Sequence, residues 1–236
     1  MASRQTGTLY LLPNSLGSGV ESFATELARI QAQRIQHFVI EEIKSARRLL
    51  RALGMKREFE EVNFHFLNEH TSSNEIENYL KPLFSGEDVA IISEAGVPCV
   101  ADPGGNLVAL AHENNIKVVP LSGPSSILMA LMASGMNGQQ FTFNGYLPRE
   151  RSERVRKIRQ LEQLAIKGHT QIFMDAPYRN QQVLDDLLAN CKMDTKLCVA
   201  SNITTQAEMI HTKTITEWLM LKPEIQKEPV MFLLGK

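Results

Sequence analysis

Ser93-Glu94-Ala95-Gly96-Val97-Pro98-Cys99-Val100-Ala101-Asp102-Pro103-Gly104-Gly105 follows directly on the apolar run Val89-Ala90-Ile91-Ile92. Such a run, continuous rather than alternating, suits a strand buried on both faces of a parallel sheet. The residues after it are small. Nothing larger than a methyl group intervenes at Ala95 and Gly96, so a ligand can approach the backbone amides and carbonyls closely. Gly105 to Asn115 then has helical spacing, with Leu107, Leu110 and Ala111 as its apolar stripe. Strand, small-residue turn and helix form the unit of a layered α/β fold, where ligands lie beyond the carboxyl ends of the strands. The same turn also has a purely structural reading, with Asp102 as a helix cap and Pro103 at the first helical position.

Outward from this stretch the unit recurs. Leu9 to Leu12, His37 to Ile40 and Lys117 to Leu121 are further apolar runs, and Ser45 to Leu53 and Asn74 to Phe84 have helical spacing. Two more glycine-bearing turns follow strand ends. Pro13-Asn14-Ser15-Leu16-Gly17-Ser18-Gly19 lacks the third glycine and the acidic residue of a dinucleotide fingerprint. Leu121-Ser122-Gly123-Pro124-Ser125-Ser126 brings hydroxyls to the start of an apolar helix, where they cap it or bond a ligand carboxylate. Turns at matching strand ends imply a shared cleft.

Beyond Gly123 the character changes. Phe141 to Tyr146 alternates as a half-exposed strand does, and Thr170 to Met174, Lys196 to Ala200 and Pro229 to Leu234 read as further strands. Arg151 to Ile166 and Asn180 to Asn190 read as long helices, and Ser125 to Ser134 as the helix that opens the second half. The expectation is two α/β lobes, 1–123 and 124–236.

The composition, 43% hydrophobic and 22% charged, is that of a globular chain with an ordinary core. The formal net charge of -1 neither demands nor excludes a nucleic-acid partner, because binding depends on where charge sits. Cys99, Cys191 and Cys198 form no CxxC pair and suit a reducing compartment. Met1 to Gly7 carries no apolar signal core, and no apolar run approaches a membrane span. The expected setting is the cytoplasm, with no membrane. The histidines lack metal spacing, so no metal is expected.

Five segments, taken in order, carry a resemblance. Gly7 to Pro13, Ser93-Glu94-Ala95-Gly96-Val97-Pro98 with Ala101-Asp102-Pro103-Gly104, Ser122 to Ser126, Phe143 to Arg149 and Phe173 to Arg179 resemble successive motifs of the tetrapyrrole (corrin/porphyrin) methylase superfamily. Within it they are most similar to the small-subunit ribosomal RNA methyltransferase I branch. The similarity runs from about residue 7 to residue 180. It implies the class III methyltransferase fold, two α/β lobes with S-adenosylmethionine in the cleft between them, and a homodimer. Carried over by position, the cofactor contacts are Pro13, Glu94, Ala95, Gly96, Cys99, Ser125 and Ser126, then Met174 and Asp175 of the second lobe. A soft thioether at Met174 suits an adenine ring. The implied activity is 2'-O-methylation of a ribose in small-subunit ribosomal RNA. A methyltransferase acting on a tetrapyrrole or other small molecule, and a non-catalytic cofactor-binding relative, are the alternatives.

The family's acidic motif after its second strand appears here as Ile40-Glu41-Glu42-Ile43-Lys44-Ser45-Ala46-Arg47-Arg48-Leu49-Leu50, with a Thr replaced by Ile43. Methyl transfer to a hydroxyl benefits from a base, so Glu41 and Glu42, with Lys44, are the candidate catalytic residues. They can equally be surface acids paired with Lys44, Arg47 and Arg48. Arg149, Arg151, Arg154, Arg156, Lys157 and Arg159 crowd one segment that can grip RNA phosphates or form a helix laced with ion pairs. Arg47, Arg48, Arg51, Lys56 and Arg57 make a second basic patch.

Overall fold

The computed structural model describes residues 6–68, 70–225 and 227–236, so most of the Met1 to Gly7 segment lies outside the described residues. The chain divides into two compact units, Met1–Ser125 and Ser126–Lys236.

In the first unit, β1 (Thr8–Leu12), α1 (Glu26–Arg34), β2 (His37–Ile40), α2 (Ile43–Ala52), β3 (Asn63–Phe66), α3 (Ser73–Asn78), α4 (Lys81–Phe84), β4 (Val89–Ile92), α5 (Gly105–Glu113) and β5 (Lys117–Pro120) follow in order. The sheet runs β3-β2-β4-β1-β5 with every pair parallel. All of β4 is buried, which is why its sequence is an unbroken apolar run. Successive side chains of β2 enter opposite cores. Phe38 and Ile40 pack with Leu49, Leu50 and Ala90, while Val39 packs with Leu83, Ile91 and Leu107. Leu12 and Ile40 are both register partners of Ile92. The residues that follow, Pro13, Glu41 and Ser93, therefore leave one end of the sheet side by side.

The second unit holds α6 (Ser126–Ser134), β6 (Phe141–Tyr146), α7 (Arg151–Ile166), β7 (Thr170–Met174), α8 (Asn180–Asn190), β8 (Lys196–Ser201), β9 (Met209–Thr214), α9 (Ile215–Leu221) and β10 (Val230–Gly235). Its sheet runs β6-β7-β10-β8-β9; β6 and β7 are parallel, and the other pairs are antiparallel. Phe173 and Phe232 stack at 5.8 Å in the core shared with Leu161, Leu187 and Trp218, and the Trp218 indole donates to the Leu197 carbonyl at 2.9 Å. The opposite face, with Ile172, Cys198 and Leu233, is covered by Ala130 and Leu131 of α6.

The structure departs from the sequence expectations in several places. The helix expected over Asn74 to Phe84 is two short ones, α3 and α4, because Pro82 sits in the first turn of the second. Proline has no N–H for a continuous helix, and its ring clashes with the preceding turn. β3 and β9 are strands beyond those expected; both are edge strands whose residues include Asn63, His65, His211 and Lys213, so neither shows an apolar run. Asp102 does not cap α5, which begins at Gly105 behind Gly104. Among the described residues no helix is long and apolar enough to cross a membrane.

Candidate active site

Asn14 ties two of the strand-end turns together. Its side-chain amide donates to the carbonyls of Ser93 at 3.1 Å and Glu94 at 2.9 Å, and its backbone N–H donates to Gly96 at 2.8 Å. The Ser93 hydroxyl donates to the same Gly96 carbonyl at 2.9 Å. Gly96 itself stands at φ 73, left-handed backbone that a side chain adopts only at a cost. Buried polar groups that are all satisfied make a turn rigid. Its top, Glu94 and Ala95, is exposed.

The loop continues through two strained residues, Cys99 at φ 67 and Ala101 at φ 62. Such positions persist only where the surroundings over-determine them. Here Asp102 Oδ1 accepts the amides of Cys99 at 2.7 Å and Gly104 at 3.0 Å. Burial, and then the Asp102 charge, push the Cys99 thiol up to about 12, so it is not a nucleophile at neutral pH. The third turn closes against the first: a Cβ on Gly123 would stand 2.1 Å from the Pro13 Cβ.

Glu41 leaves β2 half-buried, and its carboxylate accepts the Glu94 amide at 3.3 Å. Burial holds its carboxyl above the usual range; that amide bond opposes the shift, and the Asp102 and Glu94 charges add to it. Glu41 and Asp102 line a void of about 10 Å³, and Asp102 Oδ2 has no hydrogen-bond partner among the described residues. Glu42 does different work. It is the N-cap of α2, accepting from Lys44 N–H at 2.8 Å and Ser45 N–H at 2.6 Å, and those bonds hold its carboxyl low. Lys44 is exposed.

Ser125 ends the first unit and Ser126 opens α6, both half-buried. In the second unit Met174 ends β7 half-buried, and Asp175 is buried with 5% exposed. Asp175 Oδ1 accepts the Ala176 amide at 2.6 Å and pairs with Arg179, while its Oδ2 is an unmatched buried acceptor among the described residues.

The basic segment splits in two. Arg154 is 4% exposed and its guanidinium is spent on Asp186 at 2.8 Å and on the Arg149 carbonyl at 2.9 Å; Arg151 holds the other Asp186 oxygen. Glu162 faces inward to Thr195 and the Lys192 amide. Arg149, Arg156 and Arg159 stay exposed. In the other patch Arg51 donates to the Met55 and Arg57 carbonyls, and Arg47 and Arg51 lie over the Phe59 ring. The sequence does not announce the Asn14 latch or the Asp102 staple; their local signs are an Asn directly after Pro13 and an Asp-Pro pair that reads as a helix cap.

Residues 21–218 match the family model described as tetrapyrrole (corrin/porphyrin) methylases. The chain is 31% identical over 235 residues to ribosomal RNA small subunit methyltransferase I of Haemophilus influenzae, covering 98% of this chain and 80% of that protein. It is 34% identical over 205 residues to the protein of the same name from Micromonospora olivasterospora, covering 86% of this chain and 61% of that one. Among solved structures, the methyltransferase CobJ aligns with a TM-score of 0.64 at 17% identity, over 98% of this chain and 95% of that one. The cobalt precorrin-4 methyltransferase CbiF aligns at 0.63 and 16%, over 97% and 94%. At these identities the two structures speak for the fold alone. The chain belongs to the tetrapyrrole (corrin/porphyrin) methylase family and is a methyltransferase.

Proposed function

We propose that this methyltransferase moves a methyl group from S-adenosylmethionine to a ribose 2'-hydroxyl of small-subunit ribosomal RNA, in the cytoplasm and as a homodimer. The observation that carries the reading is the half-buried Glu41 carboxylate held against the Glu94 amide, at the turn where the family's cofactor contacts fall. The names of the Haemophilus and Micromonospora relatives support small-subunit ribosomal RNA as the acceptor, and the resemblance to that branch supports its ribose.

The residues present fit the cofactor. In the first unit, exposed Glu94 and Ala95 and half-buried Cys99 stand beside buried Pro13 and Gly96, an arrangement with mostly small side chains, and the Glu94 carboxylate suits a cation. Ser125 and Ser126 add hydroxyls. In the second unit, Met174 offers a thioether surface and Asp175 an acceptor unmatched among the described residues. When bound, S-adenosylmethionine supplies an electrophilic methyl group on a positively charged sulfur. Alignment of the hydroxyl is the chain's main task, and such positioning lowers a barrier by up to about 7–11 kcal/mol in ideal cases. Glu41 would accept the proton of the ribose hydroxyl; its carboxyl, raised by burial, makes it a better acceptor than an exposed glutamate. Glu42 acts on α2 through its cap, and Lys44 stands exposed in the first turn of that helix.

The test is transfer of labelled methyl to small ribosomal subunits from a strain lacking this protein, with porphyrinogen precursors run in parallel. Label on an RNA ribose is expected. Label in the porphyrinogen alone would overturn the acceptor. Light scattering on the eluting protein tests the dimer.

A further inference from the structure

A groove of about 200 Å³ opens in the first unit between the loop after β1 and helix α2. Ser45, Arg48, Leu49 and Ala52 line it from the helix, at the i, i+3, i+4 and i+7 positions that share one face. Asn14, Ser15 and Val20 line it from the loop. We propose that this groove is a nucleotide subsite, which takes one unit of a single-stranded RNA with its phosphate on Arg48.

Arg48 is set apart from the other arginines of its patch by what it does not do. Arg47 and Arg51 lie over Phe59, Arg51 also holds two carbonyls, and Arg57 holds the Ile35 carbonyl. Among the described residues the Arg48 guanidinium makes no hydrogen bond or ion pair, and it is exposed in the groove wall. Its charge acts on the nearby Glu42 carboxylate without a hydrogen bond to it, so the planar fork of five donors stays open and is matched to phosphate oxygens. Val20 and Leu49 give the groove an apolar lining for a base or sugar face, and Ser15 and Ser45 give it hydroxyls. Glu94 also lines it; its carboxylate disfavours a phosphate beside it, which leaves the phosphate to Arg48.

Size and position select the ligand. Sites that hold a small molecule by themselves enclose roughly 300–1,000 Å³. A groove of about 200 Å³ is below that range, too small for a tetrapyrrole macrocycle and suited to one unit of a chain anchored elsewhere as well. The groove also shares a wall with the proposed methyl-donor turn, since Asn14 lines it while bonding to Ser93 and Glu94. A strand seated there is fixed in register with that turn. The inference rests on RNA as acceptor.

The experiment measures binding of fluorescein-labelled oligouridylate by anisotropy across a salt series, for the wild-type protein, Arg48→Gln, Arg48→Lys and Arg34→Gln, an exposed arginine on α1. Thermal melts confirm folding of each. Arg48→Gln is expected to weaken binding about 5-fold or more and to flatten the plot of log affinity against log salt by about 0.7, the share of one phosphate on a single strand. Arg48→Lys should recover part of the loss. Unchanged binding in Arg48→Gln, or an equal loss in Arg34→Gln, would overturn the subsite while leaving RNA as acceptor intact. No RNA binding by the wild-type protein, with porphyrinogen methylated, would remove both.

Discussion

The Glu41 carboxylate accepts the backbone N–H of Glu94 at 3.3 Å, bridging the end of β2 to the turn after β4. The contact exists because Ile40 and Ile92 are register partners, so the next residue of each strand emerges at the same level. Replacing Glu41 by Gln keeps an acceptor for that amide and removes the base. Methyl transfer is expected to fall by about 10²–10⁴-fold with cofactor affinity retained, as calorimetry and initial rates would show. Because burial raises this carboxyl, the wild-type rate should climb with pH through a midpoint above the usual glutamate value. Full turnover in Glu41→Gln would end its role.

The same shift has a consequence for stability. A folded-state carboxyl raised above its unfolded value contributes stability that is complete below the unfolded value and is lost as pH rises through the folded one. Glu41→Gln should therefore gain melting temperature relative to wild type as pH moves from below the ordinary glutamate range to above the raised value. Glu42 has the opposite sign. Its cap bonds depress the folded value, so its contribution is present at neutral pH and is lost as pH falls through that depressed value. Glu42→Gln should lower the melting temperature at pH 7, and the gap should close towards acid. Paired melts of the two variants over pH would separate the roles of these adjacent acids.

Gly123 and Pro13 join the first and third turns so closely that no side chain fits between them. A methyl at Gly123 would sit 2.1 Å from the Pro13 Cβ and 2.4 Å from its Cγ. One turn must move, and overpacking of this kind costs about 1–3 kcal/mol. Gly123→Ala should lose that much in urea unfolding and also bind S-adenosylmethionine more weakly. Gly105→Ala is the control, since nothing lies within 4 Å of the added carbon. Equal affinities in the two variants would separate the Pro13 turn from the cofactor.

What was legible in the sequence follows from the range of the forces involved. The buried strand Val89 to Ile92 and the small residues after it announce themselves locally, because burial on both faces demands an apolar run and close approach demands glycine or alanine. Helix α7 was readable to its last residue from its spacing. Asn14 was not readable as a latch, since its partners lie 79 and 80 residues away and an asparagine in a glycine-bearing loop reads as turn chemistry. Asp102 has the residue type, and a proline after it, of a helix cap; only the left-handed backbone at Cys99 and Ala101 turns its carboxylate back on the loop. Edge strands β3 and β9 bury too little to be apolar throughout.

Charge counting failed in the same way at α7, and there the structure makes its most divided prediction. Arg154 and Asp186 are each 4% exposed and 32 residues apart in sequence, so nothing local distinguishes Arg154 from the arginines beside it. Truncating one partner of a buried pair leaves the other charge stranded, which costs about 3–5 kcal/mol. Arg151 still reaches the second Asp186 oxygen at 2.9 Å and should hold Arg154→Ala near the lower end. Exposed Arg156 has no such duty, and Arg156→Gln should stay within about 0.5 kcal/mol of wild type. Affinity for RNA should divide the other way. Arg156→Gln should weaken binding and flatten its salt dependence if this helix meets the phosphate backbone, and urea unfolding beside anisotropy would show both. A stable Arg154→Ala protein with impaired RNA binding would mean that the pair opens to let Arg154 reach the RNA.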